Sequence, residues 1–278
     1  MKWLRLCAVA VLIGSACVAS PKGDPLEDVS RNLQRLRSGI LELRVISREG
    51  PADPVIGGFE LSGSFQATDE GQLPVADLRY RNLTPPNEEG RLVSTGGAAF
   101  VLRRGRAYEL PDRETRWLRL TAGDPLFEDV QLERWVEDPA SEAGEGLDGA
   151  AIERATGAVD VVQVVHDLSS LSVRFGRPGL MEPLEGPDAR KVESGVAEAV
   201  VEVISGADDR LLRRLLLEVE LVEDDVSIGL MLGGLAGRSL TFDLSISEPN
   251  LPVRVEPPAD PLPFLELPPA VRRRGGWL

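Results

Sequence analysis

The chain has 278 residues, 42% of them hydrophobic, which is enough to bury a core. Its 45 acids against 31 lysines and arginines give a formal charge of −14. Nucleic acid and anionic lipid surfaces repel so acidic a chain, which excludes a nucleic-acid binder and a protein held to membranes by a basic patch.

Residues 1–16 read as a secretory leader. Met1-Lys2-Trp3-Leu4-Arg5 is a basic start, Leu6 to Ile13 an apolar run, and Gly14-Ser15-Ala16 a set of small residues before Cys17. The apolar run falls short of the roughly 20 residues that a bilayer-spanning helix needs. Gly14-Ser15-Ala16-Cys17 resembles a lipobox, which implies that Cys17 carries an acyl anchor such as palmitate and becomes the first mature residue. Gly14 stands where such boxes usually carry Leu, and plain cleavage near Ala19 is the alternative. Cutting before Cys17 leaves 262 residues and, by removing Lys2 and Arg5, a charge of −16. Cys7 leaves with the leader, so no disulfide forms within the mature chain. Attachment then comes from acyl chains. The expected location is the cell envelope, tied by lipid to the outer face of the cytoplasmic membrane, with residues 17–23 as anchor and short tether.

Asp24-Pro25-Leu26-Glu27 is a helix start: Asp24 caps, Pro25 suits the first helical position and Glu27 completes a capping box. Val29, Leu33, Leu36 and Ile40 follow at helical spacing, and Gly39 predicts an end near Ser38. Ile40–Ser47 reads as a strand. In Phe59–Gln66 the residues Phe59, Leu61, Gly63 and Phe65 alternate with polar ones, giving one apolar face. Leu73–Leu83, Arg91–Leu102, Arg106–Leu110 and Arg116–Leu120 read as further antiparallel strands. Asp124-Pro125 predicts a second helix through Trp135, stopped by Asp138-Pro139, and the small, acidic Ser141–Gly149 predicts a surface loop. Thr156–Val159 predicts a short strand, Asp160 the cap of a third helix through Leu171, and Asp188–Glu193 a helical turn. Val196–Ser205, the turn Gly206-Ala207-Asp208-Asp209, Leu211–Glu223, Val226–Leu232 and Ser239–Ser247 read as β structure. The proline-rich stretch Pro249–Pro269 cannot form interior strands, so it lies along an edge or hangs loose. Residues 270–278 read as a disordered tail.

A long antiparallel sheet with a few apolar helices is most economically built by curling the sheet around them. Gly63-Ser64-Phe65 with Gly71-Gln72-Leu73-Pro74, Gly105-Arg106-Ala107-Tyr108-Glu109-Leu110, Trp135-Val136-Glu137-Asp138-Pro139, Gly157-Ala158-Val159-Asp160-Val161 and the run Gly206–Arg214 stand in a characteristic order. In that order the chain resembles the actinobacterial LppX/LprG-type lipoproteins, whose fold is that of the LolA/LolB lipoprotein carriers. The resemblance covers most of residues 24–269. It implies an α+β domain over 24–269, a strongly curved antiparallel half-barrel with helices on its concave face. It further implies a hydrophobic cavity for acyl chains and an envelope transporter as the partner for hand-over, with no catalytic motif and no cofactor. Cys17 is the one functional residue that matches directly.

The candidate cavity residues are Phe59, Leu61, Phe65, Val219, Leu221, Phe242, Leu244 and Ile246, with an ordinary sheet core as the competing assignment for each. His166 beside Asp167 is the sole histidine; without a Gly-x-Ser-x-Gly elbow it reads as a helix-surface or packed residue rather than a catalytic one, and a lone histidine does not make a zinc site. Asp208-Asp209 and Glu223-Asp224-Asp225 lack calcium-loop spacing and read as turns. Asn82-Leu83-Thr84, followed by Pro85, is a chance glycosylation triplet. The expectation is therefore a non-catalytic envelope lipoprotein that binds a lipid, glycolipid or lipoprotein acyl chain. The alternative is a structural or signalling surface lipoprotein with no ligand.

Overall fold

A computed structural model describes residues 25–85, 87–121, 123, 125, 127–146, 149–174, 183–222, 226–232 and 237–269. The leader 1–16, Cys17, the tether 17–23, the tail 270–278, Asp124, Leu126 and Glu223-Asp224-Asp225 lie outside the described residues.

The order is α1 (Pro25–Leu33), β1 (Ser38–Arg48), β2 (Val55–Gln66), β3 (Val75–Asn82), β4 (Glu89–Thr95), β5 (Ala99–Arg103), β6 (Arg106–Glu109), α2 (Asp112–Thr121), α3 (Leu132–Trp135), β7 (Val136–Glu145), β8 (Ala151–Val159), α4 (Val161–Arg174), α5 (Gly186–Gly195), β9 (Val196–Gly206), β10 (Leu212–Leu221), α6 (Val226–Met231), β11 (Ser239–Ser247) and the two-residue β12 (Leu262–Pro263). All twelve strands join one sheet in the order β12-β6-β5-β4-β3-β2-β1-β11-β10-β9-β8-β7. Neighbours are antiparallel except β12 on β6. Two meanders, β1–β6 and β7–β11, are thus fused along the β1–β11 pair into one α+β unit, as expected. The sheet is open, with β12 and β7 as its edges. A twisted open sheet of more than about ten strands curls. Gly63 in β2 holds a backbone conformation that a side chain would not allow: its φ is +140°, and a Cβ there would lie 1.9 Å from the Asp77 carbonyl oxygen.

Strand alternation gives the sheet one apolar face. Leu61 stands opposite Leu43 of β1 and Tyr80 of β3. The row continues through Leu244 of β11, Leu215 of β10, Val203 of β9 and Ala155 of β8. The next row runs Phe59, Val45, Phe242, Leu217 and Val201. Leu78, Leu92, Val101 and Tyr108 carry the same face to β6.

The opposite face carries cross-strand ion pairs. Arg91 and Arg214 meet Asp77 and Asp243 at 2.5 and 2.8 Å, and Glu60 bridges Arg44 and Arg81. The hydrogen bond to Asp243 holds the Arg214 guanidinium above its usual value. Charge is thus concentrated on this side of the sheet, where Ile46, Val93 and Phe100 are nevertheless buried as well.

Helices cover the apolar face in two places. The larger cluster sets Leu26, Val29 and Leu33 of α1, Trp135 of α3, Val161, Val164 and Val165 of α4, Val192 of α5 and Ile228 of α6 against β8–β11. The smaller sets Leu118 of α2, with Leu73, Phe264 and Leu267, against Leu92, Val101 and Tyr108. A polar knot ties the first roof together. Asp167 of α4, 3% exposed, accepts bonds from Trp135 Nε1 (2.8 Å), the Gln131 amide (3.0 Å) and Gln163 Nε2 (2.7 Å). Ser30 of α1 accepts from the Leu132 amide at 2.8 Å and donates to Glu133 at 2.5 Å. The free amides at the start of α3 are thereby satisfied by α4 and α1.

Several elements differ from the sequence expectation. The first helix stops at Leu33, because Ser38 and Gly39 are already paired with β2. Arg91–Leu102 is two strands, since Thr95–Ala98 turns the chain through Gly96, φ +86°. Arg116–Leu120 belongs to helix α2, where Thr115 and Leu118, three apart, are buried on one side. The second helix is only the four residues of α3. Ser141–Glu145 is strand rather than loop, because an edge strand needs pairing and not burial. Val226–Met231 is helix α6, not strand. The segment Pro249–Pro269 does lie along the sheet: the Asn250 amide bonds Ser38, the Val253 amide bonds Gln66, and Leu262 pairs with Tyr108.

Candidate functional site

Between the two roofed clusters the apolar face is only half covered. Leu43 and Leu61 pack against the margin of the larger cluster, as Phe242 does, and Leu78 against the smaller. Val45, Phe59 and Tyr80 are half-buried beside them. The rings of Phe59 and Tyr80 stack with centroids 5.8 Å apart. These side chains form a half-covered apolar strip, the trough, two residue rows wide. From β3 to β11 it crosses three strand spacings, roughly 14 Å. Its floor is aliphatic and aromatic, and the charged side chains of the same strands, Arg44, Glu60 and Asp243, point the other way.

All eight sequence-predicted cavity residues lie on this apolar face, and the fold divides them. Phe59, Leu61 and Phe242 line the half-covered trough. Phe65, Val219, Leu221, Leu244 and Ile246 are buried within the larger cluster. The trough residues Leu43, Val45, Leu78 and Tyr80 went unnoticed, although alternation in Leu41–Val45 carries the signal for two of them.

A separate cleft of about 280 Å³ opens where α4 starts, lined by Val159, Val161, Val162 and Val196 with Glu137, Asp160 and Glu193. It contains none of the eight residues. Among the described residues no group of three or more His, Cys, Asp or Glu is placed to hold a metal ion. His166 is exposed on α4, with Nδ1 3.4 Å from Asp167, and the hydroxyls of Ser169 and Ser170 donate to its backbone carbonyl rather than to its ring. Asp209 serves the β9–β10 turn, accepting from the Leu211 amide at 3.0 Å and from Arg213 at 2.6 Å. Asn82 accepts from the Thr84 amide at 2.9 Å, which accounts for that triplet as a turn.

No protein-family model matches the chain, and no curated protein matches it in sequence. Among solved structures it is similar to LprF from Mycobacterium bovis, at 14% identity and a TM-score of 0.45, over 84% of this chain and 95% of that one. It is similar to lipoprotein LppX of Mycobacterium tuberculosis at 13% identity and a TM-score of 0.40, over 84% and 100% of the two chains. A putative outer membrane lipoprotein-sorting domain from Vibrio parahaemolyticus matches at 8% identity and a TM-score of 0.21, over 82% and 93%. Likeness of this degree concerns gross shape, and what the site can do has to be read from this chain's own residues.

Proposed function

We propose that this chain is a non-catalytic lipoprotein of the bacterial envelope, exported by residues 1–16 and anchored through Cys17, that shelters the acyl chains of a lipid, glycolipid or lipoprotein in the trough. The observation behind this reading is the strip Phe59, Leu61, Leu43, Val45 and Phe242, left half-open between two fully closed clusters on one sheet. Burial of methylenes, about 0.8 kcal/mol each, drives uptake. No bond is made or broken, and release is a hand-over to an acceptor such as an envelope transporter. The competing reading, a structural or signalling lipoprotein without ligand, is favoured by the five candidate residues that are buried in solid core.

Native mass spectrometry of the purified chain, followed by lipid extraction, separates the two. A reproducible bound acyl species is the expected result. A clean ligand-free mass that persists after lipids are offered would establish the second reading.

A further inference from the structure

The trough row that holds Leu43, Leu61 and Tyr80 does not end at β3. Tyr80 faces Gly90 of β4, which brings no side chain, and beyond it Arg103 of β5 stands directly opposite Arg106 of β6. Arg103 lies two residues along β5 from Val101, and Arg106 two along β6 from Tyr108, so both side chains share the trough's face. They are the only charged residues that β1–β6 place on it. The Arg103 side chain is 14% exposed and meets Glu88 at 2.7 Å. Arg106 is exposed and has no acidic partner among the described residues. Like charges directly opposite one another weaken a strand pair, and the turn between these two adds a third arginine, Arg104. A chain with a formal charge of −14 thus gathers three arginines at one end of its apolar strip. An anion seated between Arg103 and Arg106 turns their repulsion into attraction.

We infer that the Arg103–Arg106 pair receives the phosphate of an acyl-glycerol phospholipid whose hydrocarbon lies along the trough. This rests on the acyl-binding reading above and specifies the polar end of its ligand. From Tyr80 to Arg103 is two strand spacings, roughly 10 Å, a span that the glycerol and its ester links cover. Guanidinium groups take phosphate through paired N–H donors, so the arginines supply geometry as well as charge. A diacylglycerol brings the same chains without the phosphate. The trough therefore accepts both lipids and the arginine pair chooses between them.

The test equilibrates the full chain, stripped of co-purifying lipid, with equimolar dipalmitoyl phosphatidylglycerol and dipalmitoylglycerol in a nonionic detergent, then measures the ratio bound. Comparing each variant with the natural chain cancels the lipids' unequal partition into detergent. Arg106→Gln should lower the enrichment of phosphatidylglycerol about fivefold, the upper range for an exposed ion pair, and the double variant Arg103→Gln/Arg106→Gln should lower it further. Arg79→Gln removes an exposed arginine from the opposite face of β3 and should leave the enrichment unchanged, which separates local recognition from net charge. Because Arg106 faces Arg103, Arg106→Gln should melt no lower than the natural chain, which separates lost preference from lost fold. Undiminished enrichment in both variants, an equal loss in Arg79→Gln, or release of the phospholipid by equimolar glycerol phosphate, the mark of a free-phosphate site, would overturn the arginine site and leave the trough standing. Capture of neither lipid would overturn the trough, and the arginine site with it.

Discussion

Asp167→Ala should be among the most damaging single substitutions in this fold, although the donors that Asp167 holds belong to the helices and not to the sheet. Its carboxylate is 3% exposed and takes three donors: the indole of Trp135 at 2.8 Å, the Gln131 amide at 3.0 Å and the Gln163 side chain at 2.7 Å. Truncation to Ala strands the first two. Trp135 is 1% exposed, so its N–H cannot turn to water, and the Gln131 amide sits at the start of α3 with its direction fixed by the helix. Each stranded donor costs about 1–3 kcal/mol, whereas Gln163 is half-buried and can find solvent. The loss is therefore about 2–6 kcal/mol, or a melting point lower by roughly 4–24 °C for a domain of this size. Asp167→Asn separates hydrogen bonding from charge. Both stranded donors use the same oxygen, Oδ2, so an Asn carbonyl placed there keeps them, and Gln163 accommodates the new amide by turning its own. Asn should cost only about 1 kcal/mol, the difference between a charged and a neutral acceptor. Thermal unfolding followed by far-UV circular dichroism reads both variants. An Asp167→Ala melting point within a couple of degrees of the natural chain would refute the view that this knot holds the roof. Asp167→Asn as damaging as Ala would show that charge, not acceptor geometry, is what matters.

Gly63→Ala should lose at least about 2 kcal/mol in urea unfolding, because it forces a side chain into a φ of +140° and against the Asp77 carbonyl. Phe242→Glu places a charge on the trough floor and should abolish retention of bound lipid, while Ser245→Glu, on the opposite face of the same strand, should leave it intact; extraction and mass spectrometry of both variants is the check. Arg214→Gln breaks a well-formed but solvent-screened pair with Asp243, whose side chains are 42% and 31% exposed, and should shift stability by less than about 1 kcal/mol, with a smaller shift in high salt.

Where the sequence was readable, a local rule coincided with the tertiary demand. Asp160 reads as the cap of a helix, and the Gln163 amide does bond its carboxylate at 3.0 Å. The turn Gly206–Asp209 and the alternation Leu240, Phe242, Leu244, Ile246 needed no partner to be recognised. Errors arose where local pattern is mute or misleading. In Val226–Leu232 the residues Val226, Ile228, Leu230 and Leu232 alternate with Ser227, Gly229 and Met231, a strand-like period, yet Val226–Met231 is helix. Arg116–Leu120 is too short to reveal that Thr115 and Leu118 share a helix face. Ser141–Glu145 pairs with β8 through its backbone and an ion pair from Glu142 to Arg154 at 2.9 Å, with every side chain exposed. The site divides in the same way. Alternation places Phe59, Leu61 and Phe242 on one face of the sheet, but which members of that face stay half-open depends on where α1 to α6 settle.

The most direct test of acyl binding is residue-level mapping of a photoactivatable phospholipid with a diazirine in its acyl chain, irradiated in complex with the chain. The trough predicts labelling at Leu43, Val45, Phe59, Leu61 and Phe242. Labels confined to the charged face, at residues such as Arg44, Glu60 or Asp243, or an acyl chain that labels no residue of the sheet, would contradict it.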